Sequence, residues 1–128
     1  MSHTIVIVDD DEAILRALNR LLKADFILIL FTNPLEAIKY AKENEIDLVI
    51  SDLLMPNIDG LNLLEQFKQI QPDCSRMLLT GYADLETSKS AIKQNIAHLI
   101  TSKPWDNFEL VMLIRLLIEN SCLRKKML

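Results

Sequence analysis

Apolar residues along this chain come in five short, nearly unbroken runs: IVIV at 5–8, FILILF at 26–31, IDLVIS at 46–51, RMLLT at 76–80 and HLIT at 98–101. Half-exposed antiparallel strands would alternate apolar and polar residues, so unbroken runs of this length predict strands buried on both faces. Between the runs, apolar residues repeat at helical spacing. Ile14, Leu15, Leu18, Leu21 and Leu22 mark a first helix. Asn33 and Pro34, with Glu36 able to close a capping box, open a second. Leu63, Leu64, Phe67 and Ile70 share one face of a third, and a sparser set (Leu85, Ala91, Ile92) marks a fourth over 84–94. Asp106, with Glu109, caps a last helix running to about residue 122.

Strands that each feed a helix predict an α/β fold: a doubly wound, five-stranded parallel sheet with helices on both faces. The flavodoxin-like order 2-1-3-4-5 is the expected topology, with its switch point between the first and third strands. A single domain fills residues 1–128, with its core over about 3–122 and no internal linker or repeat. A C-terminal effector domain would lie outside this stretch.

Composition narrows the function. A net charge of −4 provides no basic stripe for nucleic acid. No apolar run reaches the roughly 18–20 residues that span a bilayer. The start, MSHTIVIVDD, has no basic signal-peptide region. Cys74 and Cys122 show no metal-ligand spacing, and His3 and His98 stand apart, so no zinc site is expected. Two thiols in such a chain suit a reducing cytosol, and a cytoplasmic location is expected.

In open α/β sheets ligands bind beyond the carboxyl ends of the strands. The first strand ends in Asp9 and Asp10, the third in Asp52, the fourth in Thr80 and the fifth in Lys103. The predicted topology gathers all five at one edge, with the three carboxylates as close neighbours. At a separation of about 4 Å and an effective dielectric near 20, each such pair repels by about 4 kcal/mol. A cation relieves this, and an all-oxygen donor set selects Mg²⁺. Metal and ammonium can neutralise a phosphoryl group, the Thr80 hydroxyl can bond it, and a carboxylate can accept it covalently.

The two glycines, Gly60 and Gly81, flank this edge. Gly81 would let its backbone N–H approach a phosphoryl oxygen, while turn geometry alone is the simpler reading of either glycine. Helix capping alone accounts for Asp11 and Glu12. It does not account for Asp52, Thr80 and Lys103 at the other strand ends.

The stretches VDDDEAILRAL, SDLLMPNIDGL, LLTGYADLE and SKPWDNFEL, in that order and spacing, resemble the response-regulator receiver (CheY-like) family. The resemblance implies that Asp52 accepts a phosphoryl group from a sensor histidine kinase or phosphotransfer protein. It implies Mg²⁺ bound by Asp10, Asp52 and the Leu54 carbonyl, with Asp9 acting through water. It implies Thr80 and Lys103 on the phosphoryl oxygens, and a cis bond before Pro104. One departure stands out: the family's aromatic switch position, three before the lysine, is Ile100 here. The positions two after the acceptor and two after the threonine are Leu54 and Tyr82. Neither orients water well, so slow self-dephosphorylation is expected. The rival readings are a Mg²⁺-dependent aspartyl-phosphate hydrolase, which would want an acid where Leu54 stands, and a degenerate receiver, which would lack one of the site residues. The domain is therefore expected to be a phosphoacceptor and not a turnover enzyme.

The last helix carries more apolar residues than one packed face needs. Leu110, Leu113, Ile114 and Leu117 supply that face, which leaves Val111, Met112, Leu116 and Ile118 on its flanks and outer side. With Trp105 and the fourth helix as neighbours, these predict an apolar patch across the fourth helix, fifth strand and fifth helix. The resemblance implies the same face for pairing with a second copy or docking an effector.

Overall fold

Val6, Val8, Val49 and Leu78 pack on one side of a parallel sheet, and Ile5, Ile7, Ile50 and Met77 on the other. Consecutive strand residues point to opposite faces, so a run apolar at every position serves two cores at once. The computed structural model describes residues 2–81 and 84–127. Its strands are β1 (Thr4–Val8), β2 (Ile27–Phe31), β3 (Leu48–Ser51), β4 (Ser75–Thr80) and β5 (Leu99–Ser102), and its helices are α1 (Glu12–Leu22), α2 (Pro34–Glu43), α3 (Gly60–Ile70), α4 (Leu85–Lys93) and α5 (Asn107–Lys126). The sheet order is β2-β1-β3-β4-β5 with every pairing parallel, as the alternation predicted.

The two cores divide the helices. Leu15, Leu18 and Leu22 of α1 join Leu110, Ile114 and Leu117 of α5 on one face. Ala37, Ala41, Leu63, Leu64 and Phe67 of α2 and α3 cover the other, where α4 adds Ala91. The three central strands are buried almost throughout, while the edge strands β2 and β5 are only partly covered.

Every helix starts on a side-chain cap. Asp11 accepts from the Ala13 N–H, Asn33 from Leu35, Asp59 from Asn62, Asp84 from Thr87 and Asp106 from Glu109. Each carboxylate or amide oxygen satisfies an N–H that the first turn leaves without a partner.

Three expectations are corrected. The last helix does not stop near 122 but continues to Lys126. Polar anchors hold its final turns: Ser121 Oγ and Arg124 Nε donate to the Asp73 carbonyl, and Lys125 Nζ lies 2.8 Å from Asp47 Oδ1. Apolar periodicity cannot register such contacts. Ile118 is buried with the α1/α5 core rather than lying on the outer side. Leu113, expected on the packed face, is only half-buried and joins neither core; Trp105 packs partly on the α1/α5 core and also lines a depression with Thr101 and Leu113.

At the amino end of the sheet, β4 carries a fully buried arginine. Arg76 forms no ion pair among the described residues; its guanidinium donates to the carbonyls of Cys74, Asn95 and Ile96 at 3.0, 2.9 and 2.8 Å. The segment between α4 and β5 is thereby tied to β4. Beside it, the Arg76 N–H donates to His98 Nδ1 at 3.0 Å, and the His98 N–H returns a bond to the Arg76 carbonyl.

Burial, then the positive charges of Arg76, Arg124 and Lys68, hold the His98 imidazole down to about 4. The folded chain therefore keeps His98 neutral where the unfolded chain, near its ordinary value of about 6.5, binds a proton. Stability from this group is complete above about pH 6.5 and is lost as pH falls through 4. Urea denaturation between pH 7 and pH 4.5 is expected to show wild type losing on the order of 1–2 kcal/mol more than His98→Asn, whose Oδ1 replaces the acceptor without titrating.

Candidate functional site

The carboxyl ends of β1, β3, β4 and β5 converge because the ladder continues one residue past each strand. The Asp9 N–H donates to the Phe31 carbonyl, Asp52 to Val8 and Lys103 to Thr80, at 3.1, 3.1 and 3.0 Å. Backbone pairing thus fixes Asp9, Asp52 and Lys103 before their side chains interact.

One oxygen from each of Asp9, Asp10 and Asp52 lies within 4.8 Å of the others, and no other such acidic, histidine or cysteine group occurs among the described residues. Asp9 is buried, Asp52 half-buried and Asp10 exposed. Lys103 Nζ stands 2.6 Å from Asp9 Oδ2 and 3.2 Å from Asp52 Oδ2, bridging the two inner carboxylates. The remaining inner oxygens take backbone donors: Asp9 Oδ1 accepts from the Asp11 N–H at 2.9 Å, and Asp52 Oδ1 from the Leu53 N–H at 2.7 Å.

Burial pushes the Asp9 carboxyl above its ordinary value, outweighing the Lys103 bond and the Asp11 N–H that pull it down. For Lys103, burial lowers the ammonium, but the bond to Asp9 and the charges of Asp9 and Asp52 more than restore it, so it is raised. Three carboxylates against one ammonium leave excess negative charge at the open side, where Asp10 projects. A hard divalent cation suits this all-oxygen set. The residues fit Mg²⁺: one oxygen each of Asp9, Asp10 and Asp52 already lies within reach of a common ion, while Lys103 pairs with the two inner carboxylates.

Thr80 ends β4 in register with Ser102, and its residue is buried. Gly81 follows it, exposed, with nothing within 4 Å of where a Cβ would stand. The Lys103–Pro104 bond is cis. Ile100 is half-buried against the core under α2 and α3, beside Leu78. Tyr82 lies outside the described residues. Leu54 is 57% exposed at the mouth of the site. Met112 and Leu116 are exposed on α5. Trp105, half-buried, donates its indole N–H to Asn107 Oδ1.

Sequence reasoning undervalued one residue. A Cβ on Gly60 would stand 2.0 Å from the Asp52 carbonyl oxygen and 2.9 Å from its carbon, so the start of α3 lies directly on the backbone at the end of β3. The Gly60 N–H also donates to the Leu53 carbonyl at 2.8 Å. Turn geometry was the simpler expectation, but close backbone approach is the reason for this glycine. The signal was available: a poor helix former at the first helical position, directly after a strong Asp59 cap. Asn57, at φ 76°, takes the left-handed turn that brings the segment back.

A sequence model of the response regulator receiver domain matches residues 5–115. The signal receiver domain of an HD domain-containing protein from Pseudomonas fluorescens Pf-5 superposes with a TM-score of 0.93 at 34% identity, covering 99% of this chain and 94% of that one. The beryllofluoride-activated NtrC4 receiver domain dimer superposes at 0.86 with 27% identity, over 92% of this chain and 98% of that one. The DNA-binding transcriptional regulator NtrC of Escherichia coli (strain K12) is 35% identical over 109 residues, 84% of this chain but 23% of its own. The chain spans about a quarter of the length of the curated relatives it matches.

Substituting the two glycines separates close approach from simple turn geometry. Gly60→Ala should cost about 2–3 kcal/mol in urea denaturation, because backbone on both sides must move. Gly81→Ala, with open space and no positive φ, should change stability by less than about 0.5 kcal/mol.

Proposed function

The chain belongs to the response regulator receiver domain family, and on that premise we propose that Asp52 is its phosphoacceptor. As a receiver it serves phosphorylation-dependent, two-component signalling. Receivers take their phosphoryl group from histidine kinases or phosphotransfer proteins. The observation that carries the assignment is the position of Asp52, held by backbone pairing between the Asp9–Lys103 pair and the open, acidic mouth. Of the inner carboxylates it is the more accessible one.

Asp52 attacks the phosphorus of the donor phosphohistidine in line; an Asp52 Oδ–P bond forms as the N–P bond breaks, and the pair of electrons leaves with the imidazole. Lys103, already within 3.2 Å of Asp52, pairs with the transferred oxygens, and the Thr80 hydroxyl and Gly81 N–H bond to them. Asp10, Asp52 and the Leu54 carbonyl would hold Mg²⁺, with Asp9 acting through water. The two preceding carbonyls are committed elsewhere, Asp52 to the Ser51 hydroxyl and Leu53 to the Gly60 N–H. When bound, the cation supplies charge neutralisation at the transferred group.

Exposed apolar residues stand on the helices before and after β5, Leu85 and Ile92 on α4 and Phe108, Met112 and Leu116 on α5. This is the output face, towards a second copy or an effector. With Ile100 in place of a ring, the Thr80 segment moves without an aromatic partner. No helix among the described residues is long and apolar enough to cross a membrane.

Acetyl phosphate with Mg²⁺, read by intact mass, tests the assignment. Wild type should gain a single phosphoryl group, and Asp52→Asn or excess chelator should abolish the gain. Labelling of the Asn variant at another residue would overturn the acceptor; continuous turnover of acetyl phosphate would favour a hydrolase instead. Leu54 cannot orient an attacking water, so the phosphorylated protein should persist for many minutes at neutral pH and 25 °C. Leu54→Asn should shorten that lifetime severalfold in a phosphate-release assay.

A further inference from the structure

One peptide unit joins two hydrogen bonds beside Asp52. Its carbonyl, that of Asp52, accepts from Ser51 Oγ at 2.8 Å, and its N–H, that of Leu53, donates to Asp52 Oδ1 at 2.7 Å. A peptide is planar, so its C=O and N–H turn together. Whatever holds the carbonyl therefore also holds the N–H that the carboxylate oxygen accepts. Ser51, the last residue of β3, is fully buried.

We propose that Ser51 is a positioning residue for the Asp52 carboxylate, acting through the Asp52–Leu53 peptide. The inference deepens the reading of Asp52 as phosphoacceptor, and its consequence for phosphoryl transfer rests on that reading.

Strand pairing alone does not supply this grip. The Asp52 N–H donates to the Val8 carbonyl, but among the described residues no backbone N–H returns a bond to the Asp52 carbonyl. The Ser51 hydroxyl is the donor that it has. On another side stands Gly60, where even a Cβ would come to 2.0 Å from the same oxygen, so the backbone of α3 closes that approach to water. A serine hydroxyl has one proton to give. Met55 Sδ lies 3.9 Å from Ser51 Oγ, a longer approach to a weaker acceptor, so the proton goes to the carbonyl. Without the hydroxyl the enclosed carbonyl would lack a donor, a penalty that turning the peptide relieves. Turning it takes the Leu53 N–H off Oδ1 and leaves the carboxylate set by Lys103 alone, 3.2 Å from Oδ2. The Leu54 carbonyl proposed for Mg²⁺ follows on the same backbone and shifts with it.

The test compares Ser51→Ala, which removes the hydroxyl, with Ser51→Cys, which keeps a side chain of similar shape but a much weaker donor. Each folded variant is read in three ways: the Leu53 amide proton shift, the Mg²⁺ dissociation constant by calorimetry, and the rate of phosphorylation by acetyl phosphate at saturating Mg²⁺. In wild type the Leu53 amide proton should lie downfield, as a donor to a carboxylate. In both variants it should move upfield, while the Asp9 and Lys103 amides, set by the ladder, stay in place. Mg²⁺ should bind about tenfold more weakly, the lower end of what partners behind a metal ligand contribute, and the rate should fall by a similar factor. A hydroxyl that served stability alone would change neither shift nor affinity in a fully folded variant. Either variant matching wild type in the Leu53 shift or in Mg²⁺ affinity would overturn the proposal: Ala because the hydroxyl is dispensable, Cys because filled volume and not the proton is what counts. Should the Ala variant fail to fold, the Cys variant decides by the same readings. Neither of those two readings involves phosphate, so a wild type left unlabelled at Asp52 would defeat the phosphoacceptor reading and not this one.

Discussion

Parallel strands that end together bring whatever follows them into one place, and here three carboxylates follow. Their mutual repulsion has to be borne by the folded chain itself, and Lys103 bears it. Its ammonium lies between Asp9 and Asp52 and leaves Asp10 facing outwards. The same position sets up the chemistry. On the proposed role of Asp52, a cation already within its reach is ready to follow a transferred oxygen, and the burial that raises the Asp9 carboxyl also strengthens its attraction to Lys103. The electrostatic compromise of the resting site and the means of recognising a phosphoryl group are thus one arrangement.

The remainder of the molecule holds that arrangement still. Two apolar layers clamp the sheet from both sides, so the ends of β1 and β3 cannot shift without disturbing both cores. Gly60 adds a backbone-on-backbone contact directly under Asp52. By contrast, α4 has a single fully buried residue, Ala91, and a carbonyl clamp from Arg76 at its far end. Rigidity is concentrated around Asp52, and the cover is thinner beside the Thr80 end of β4.

Much of this was legible from the order of residues. Unbroken runs such as IVIV could only be strands covered on both faces, and parallel topology then dictated which residues met at one edge. Legibility failed where the deciding contact was polar or made by backbone. Arg76 reads as the edge of an apolar run because its acceptors are carbonyls about twenty residues away, with no carboxylate to betray a pair. The last turn of α5 is held by Arg124 and Lys125, which no hydrophobic period marks. Apolar spacing misplaces Ile118 because it draws the packed face of α5 through Leu113, whereas that face runs through Leu110, Ile114, Leu117, Ile118 and Ser121.

The bond between Asp9 and Lys103 joins residues 94 apart in sequence. Strand β5 must already be docked at one side of the sheet, after all of the intervening crossovers, before that contact can exist. Loop closure over such a span is costly until the intervening structure is in place. The site is accordingly among the last features a folding chain completes, and neither half of the molecule contains a fragment of it that could work alone. On the proposed role of Asp52, a signalling partner that transfers to it responds only to finished molecules, and incomplete or unravelled copies stay silent without any separate check on their quality.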